Sequence, residues 1–154
     1  MNPFKDLYRG FTKRPIEQGD SCRWVYGNKI CSKGKVYIKP SGNAFQVNEN
    51  GLSKLIPLHE VEPNSAGQCT GITDINKALI FEGDVVRGLF HHGQAINGIV
   101  AFNEGAFGVV WRRGSVEEFT AFCQTCNVEW EVIGNDHDNP ELYGNSGQLE
   151  ETDD

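Results

Sequence analysis

Three groups of residues have types and spacings that could do chemistry. Cys123 and Cys126 form a C-x-x-C pair, and thiolates at that spacing hold zinc when a second close pair, or histidines at ligand spacing, complete the tetrahedron. Cys22 and Cys31 are nine positions apart, and His91 and His92 are adjacent, so on a strand the two imidazoles would point to opposite faces. No metal site is expected from these residues, nor any cofactor. The second group is carboxylate-rich: Glu82-Gly83-Asp84, and the cluster Asn135-Asp136-His137-Asp138-Asn139. A metal-dependent hydrolase or nuclease built on Glu82, Asp84 and the 136–138 loop needs those groups to converge. The alternative is structural: Glu82 and Asp84 bond backbone N–H groups at a glycine turn, and Asn139 caps a helical turn beginning at Pro140. The third group is Lys29, Lys33, Lys35 and Lys39 interleaved with Trp24, Tyr26 and Tyr37, the composition by which single-strand binders stack bases and track phosphates. No catalytic residue is expected, because His59-Glu60 lacks the second histidine of a zincin and neither a G-x-x-x-x-G-K-[ST] loop nor a G-x-S-x-G elbow occurs.

Charge separates the chain into two halves. Residues 1–62 carry 10 basic and 6 acidic side chains, a net +4, while residues 63–154 carry 4 and 15, a net −11. Glu150, Glu151, Asp153 and Asp154 lie in a terminal segment without apolar periodicity, so residues 144–154 are expected to form a disordered acidic tail. An isoelectric point near 5.1 opposes indiscriminate binding to polyanions and leaves a local basic surface as the form a nucleic-acid site would take. Five cysteines, an odd number, and an N-terminus without the apolar block of an export signal point to free thiols and a cytoplasmic location. The apolar runs are only a few residues long, against the roughly 20 a bilayer helix needs, so no membrane association is expected.

The elements that must position these groups are short strands. Eighteen glycines and sixteen Trp, Tyr and Phe residues sit between turn signals at intervals typical of all-β proteins. Strands are expected at 22–27, 35–39 and 44–47, with turns at Pro40-Ser41-Gly42-Asn43 and Asn50-Gly51, the latter returning the chain into 52–58. Pro63-Asn64-Ser65-Ala66-Gly67 reads as the junction between two lobes, 1–62 and 63–143. After a turn at Asp74-Ile75-Asn76-Lys77, strands at 85–90, 98–102 and 107–113 suggest a curled, SH3-like or barrel-like second lobe. Residues 116–123 place Val116, Phe119, Phe122 and Cys123 on one helical face behind Ser115, which predicts a short helix over a barrel end. A strand at 128–134 closes the lobe.

A set of short blocks resembles one known family. Tyr8-Arg9-Gly10, Trp24-Val25-Tyr26-Gly27, Val61-Glu62-Pro63, Gly67-Gln68-Cys69-Thr70-Gly71, Ile80-Phe81-Glu82-Gly83-Asp84-Val85-Val86, Glu131-Val132-Ile133-Gly134-Asn135 and Asn139-Pro140-Glu141-Leu142, in that order, resemble the YopX family of bacteriophage and prophage proteins. The resemblance implies one YopX-like domain over 1–143, a mostly β fold and a phage or prophage origin, and it brings no activity with it. Cys69 stands where the family usually shows an aromatic residue, and Lys77 where Asn-Gly would make the turn after Asp74, so that hairpin must use a less favourable turn or a longer loop.

The reading is an all-β protein of two small fused lobes with one short helix. Each lobe is small enough that contact between lobes, or homo-oligomerisation, is expected. In function it reads as a non-enzymatic phage or prophage accessory module that binds a macromolecule, with an unknown host or phage protein favoured. The alternative is nucleic acid on Lys29, Lys33, Lys35, Lys39, Trp24 and Tyr37; the rival from another class is the hydrolase or nuclease on Glu82 and Asp84.

Overall fold

A computed structural model describes residues 4–40, 58–89, 93, 95–124 and 128–144. The expected elements at 41–57, His91, His92, Cys126 and the acidic tail at 145–154 lie outside the described residues. The chain divides into two compact units, Met1–Cys69 and Thr70–Asp154, a division that falls inside the strand Gly67–Thr73.

In the first unit β1 (Tyr8–Phe11), β2 (Trp24–Ser32), β3 (Lys35–Pro40) and β4 (His59–Val61) form an antiparallel sheet in the order β4-β3-β2-β1. The opening residues of β5 (Gly67–Thr73) pair with β1 through Tyr8↔Gln68 and Arg9↔Gly67. Lys33 and Gly34 join β2 to β3 with φ of 51° and 76°, the double positive φ whose twist suits a two-residue hairpin. Period-two alternation assigns the faces. Val25, Ile38 and Val61 form a small core with Tyr8, Ile16, Val36 and Ala66 packed on it.

In the second unit β6 (Leu79–Phe81) follows the turn at Asp74. Then β7 (Asp84–Leu89), β8 (Ala95–Asn103), β9 (Ala106–Arg113), β10 (Val116–Ala121) and β11 (Glu129–Asn135) make an antiparallel sheet in the order β10-β9-β8-β7-β11. Its core is larger: Ile80, Val86, Ile96, Val100, Val109, Trp111, Phe122 and Trp130. The sheet ends at β10 and β11 and is open, so the barrel-like expectation gives way to a sheet with two edges. One edge is covered. Ile75 N donates to Trp130 O at 2.9 Å and Val132 N to Asp74 Oδ2 at 3.0 Å, so the Asp74 turn occupies β11 where a foreign strand would otherwise pair.

The helix expected at 116–123 is a strand followed by a 3₁₀ turn, Phe122–Gln124. Eight residues hold barely two helical turns, and the coincidence of Val116, Phe119 and Phe122 on one face is outweighed by strand-favouring Val, Phe and Thr beside a partner. Gly114 at φ 61° turns the chain, Glu117 pairs with Arg112 and Phe119 with Val110, and Trp111 Nε1 donates to Thr120 Oγ1 at 3.0 Å. Among the described residues the one α-helix, α1 (Pro140–Gly144), starts at the Asn139-Pro140 signal. Asn139 Oδ1 reaches back to accept from Asn135 N at 3.3 Å and so fastens the helix start to the end of β11. No helix among the described residues is long and apolar enough to cross a membrane.

Candidate interaction surface

Cross-strand register places Arg9 opposite Tyr26, Phe11 opposite Trp24, Ile30 opposite Tyr37, Ser32 opposite Lys35 and Asn28 opposite Lys39. Directly paired residues share a face, so these side chains occupy the side of the first sheet away from Val25, Ile38 and Val61. Tyr26 is 47% and Ile30 37% exposed, and Trp24 and Tyr37 are half-buried. Arg9 is buried with its guanidinium 4.7 Å from the Trp24 ring centroid, and Phe11 meets the same indole edge-on at 5.4 Å. Cation–π and edge contacts of this kind hold a ring in one orientation. Lys35 and Lys39 flank Tyr37 two residues away on either side, and alternation returns all three to one face.

Of the six residues singled out in the sequence, this face gathers Trp24, Tyr37, Lys35 and Lys39. It does not gather the other two. Lys29 sits opposite Ile38 on the reverse side, 5.2 Å from the Tyr8 ring centroid, and Lys33 is in the hairpin turn. Arg9, Phe11 and Ile30 were missed, because only the β1–β2 and β2–β3 registers bring them beside Trp24 and Tyr37.

The carboxylate group is brought together without a shared centre. Asp136 N donates to Gly83 O at 2.8 Å, which seats the 136–138 loop against the Glu82-Gly83-Asp84 turn. Asp84 is only 1% exposed, and its Oδ2 accepts from Phe81 N at 2.7 Å, the backbone-bonding role weighed for it above. His137 Nδ1 lies 3.0 Å from Asp138 Oδ1 at the surface. Among the described residues no three His, Cys, Asp or Glu side chains are grouped to hold a metal. The thiols are dispersed: Cys69 is buried, Cys22 half-buried, Cys31 and Cys123 exposed.

Three titrating groups depart from their ordinary values for local reasons, the first being Tyr143, whose pKa is raised by burial and by its hydrogen bond to Glu117. Burial, with Arg23 nearby, lowers the His59 pKa. Burial pushes the Asp74 carboxyl up, but N–H donors of Val132, Ala78 and Asn76 outweigh it and leave its pKa below the ordinary value. A cleft of about 470 Å³ runs beside this turn, lined by Ile72, Ile75, Phe122, Cys123, Val128 and Trp130 among others.

The family described as YopX protein matches residues 8–143, most of the chain. The chain belongs to the YopX family. No curated protein matches the sequence. The blocks that carry the YopX resemblance are, in physical terms, mostly fasteners. A Cβ on Gly10 would come within 2.7 Å of the Val61 side chain, which joins the Y-R-G and V-E-P blocks. Thr70 Oγ1 donates to Ile80 O at 2.8 Å, joining G-Q-C-T-G to I-F-E-G-D. A Cβ on Gly134 would lie 2.6 Å from Asn139 Oδ1 and 2.9 Å from Leu142 Cδ1, so only glycine lets E-V-I-G-N receive N-P-E-L. The exception is Trp24-Val25-Tyr26-Gly27, which sends Val25 into the core and Trp24 and Tyr26 to the outer face.

Proposed function

We propose that this YopX-family protein is a non-enzymatic binding module that meets a macromolecule through the outer face of β1, β2 and β3. The observation that carries the reading is the aromatic face itself: Tyr26 and Ile30 are exposed beside Trp24 and Tyr37, on a sheet whose reverse side already forms the core. Aromatic side chains held rigid at a surface are the residues that dominate contact energies, since they bring large area at small conformational entropy. A phage or prophage accessory role suits such a module. The carboxylates that an enzymatic role would call on are engaged locally or dispersed.

The test is affinity capture of the tagged full chain from a host lysate, in parallel with Tyr26→Ala and Trp24→Ala chains. Material retained by the wild type and lost by both variants supports the reading. Retention that is identical across all three chains removes this face from the function.

A further inference from the structure

We propose that the first unit carries a phosphate-group site at the margin of its core, formed by Arg14 and Arg23 with His59 and Thr12 between them. It lies on the side of the sheet away from the aromatic face, so it stands or falls independently of the binding reading above.

Register brings these four residues together. Val25 and Val61 face the core, so by alternation Arg23 and His59, each two residues earlier in the chain, stand on the same side at its margin. Thr12 lies beside them: it bridges Val61, its N–H donates to Arg23 O at 2.9 Å, and its Oγ1 accepts from Arg23 N at 3.0 Å. Lys13 N donates to Glu60 O at 3.0 Å, and one further step of this antiparallel register sets Arg14 opposite His59. A cleft of about 210 Å³ opens there, lined by Thr12, Arg14, Ile16, Leu58, His59 and Glu60 among others. That is smaller than the roughly 300–1,000 Å³ of pockets for drug-sized ligands, so it suits a single small group.

The charges on this side select an anion. No acidic residue occupies a core-facing position of β1 to β4. The one carboxylate lining the cleft, Glu60, is held by Lys13 at 3.2 Å. Neither the Arg14 nor the Arg23 guanidinium makes an ion pair or hydrogen bond among the described residues, and Glu17 and Asp20 in the loop between β1 and β2 pair with neither. Arg23 is close enough for its charge to act on His59, and with burial it holds the ring towards the neutral form, in which one ring N–H donates. Thr12 is 2% exposed, and because its oxygen already accepts from Arg23 N, its own hydrogen is left to donate into the cleft. Two guanidinium forks, an imidazole and a hydroxyl make a set of donors, and two positive charges match a dianion. A phosphate group presents that charge with several acceptor oxygens, whereas a carboxylate brings one charge and leaves one arginine unmatched.

The experiment titrates the full chain with inorganic phosphate at constant ionic strength and follows the His59 ring resonances by NMR, assigned with His59→Gln. Phosphate should shift them saturably and raise the His59 pKa, because a bound negative charge favours the imidazolium. Arg14→Ala and Arg23→Ala should each weaken binding by about tenfold or more, as for a lost hydrogen bond to a charged group, and Arg14→Glu should abolish it. Arg87→Ala, which removes an exposed cation of the second unit, should leave it unchanged. Both site arginines are exposed, and circular dichroism confirms the fold of each variant. O-phosphoserine and adenosine 5′-monophosphate, titrated in parallel, separate the sources of the group: esters no tighter than inorganic phosphate make the free ion the ligand, and a tighter ester makes it the phosphate end of a larger molecule. A shift that does not saturate, that acetate reproduces at equal concentration, or that survives both alanine variants overturns the proposal, as does an equal loss of affinity in Arg87→Ala.

Discussion

Trp111 and Trp130 in the second unit are 8% and 6% exposed, and Trp130 stands edge-on to Phe122 with centroids 5.9 Å apart. In the first unit Trp24, Tyr26 and Tyr37 lie on the outer side of the sheet, while a much smaller set, Val25, Ile38 and Val61, forms the core. Both units are built of antiparallel strands, but they place their tryptophans differently. In the second unit Trp111, Phe122 and Trp130 are packed as apolar volume inside, and Phe102, 54% exposed, is the ring left at the surface. In the first, the buried core is aliphatic with Tyr8 packed against it, Trp24 and Tyr37 are half-buried on the other side of the sheet, and Tyr26 is exposed. An aromatic residue on a strand is therefore not evidence of core or of site until the register assigns its face.

The sharpest way to break this comparison is to delete one ring from each unit. Gly88 has no side chain because the Trp130 ring occupies that space, so Trp130→Ala leaves a cavity that Gly88 cannot fill. Its expected loss is about 3–5 kcal/mol of stability. Tyr26→Ala removes a ring already 47% exposed and is expected to change stability by about 0.5 kcal/mol or less. Urea denaturation of the two variants measures both. Equal losses would mean that the outer-face ring is structural and that the contrast between the units is false.

A smaller effect is expected at Asp74, whose carboxylate both closes the turn before β6 and covers the edge of β11. Asp74→Asn leaves Val132 N, Ala78 N and Asn76 N facing a neutral amide, and the expected loss is about 1–3 kcal/mol at neutral pH, as for a charge-assisted hydrogen-bond set. The folded-state pKa is lowered from 3.8, so the folded protein binds this proton more weakly than the unfolded chain. The stabilisation is therefore fully present above 3.8 and is lost as pH falls from there through the folded value. Stability curves of wild type and variant should run parallel near neutrality and converge in acid. A gap that persists unchanged well below 3.8 would show that the amide disturbs packing and not charge.

Local signals in the sequence and non-local facts of the fold were legible to different degrees. The all-β class, the turn at Asp74 and the helix start at Asn139-Pro140 rest on residue chemistry within a few positions and were readable. The strand at Val116–Ala121 was not, since a helical and an extended period agree over so few residues and the deciding partner, Ala106–Arg113, is supplied by the hairpin. The open sheet was hidden for the same reason: whether β10 and β11 meet is a question of curvature, not composition. At the candidate surface, Trp24, Tyr37, Lys35 and Lys39 were found from their interleaving. Lys29 was grouped with them because the sequence shows basic residues in order but not the register that opposes Lys29 to Ile38. Arg9 was invisible, since its partner Trp24 comes from the neighbouring strand.

The smallest expected effects test whether the two units share a backbone defect. Lys33 in the first unit and Lys77 in the second both take left-handed conformations, with φ of 51° and 66°. A non-glycine residue there is disfavoured by about 1–2 kcal/mol, and glycine relieves that strain while giving back part of it as greater freedom of the unfolded chain. Lys33→Gly and Lys77→Gly should therefore each raise stability by about 0.5–1 kcal/mol, read as a higher urea midpoint at unchanged slope.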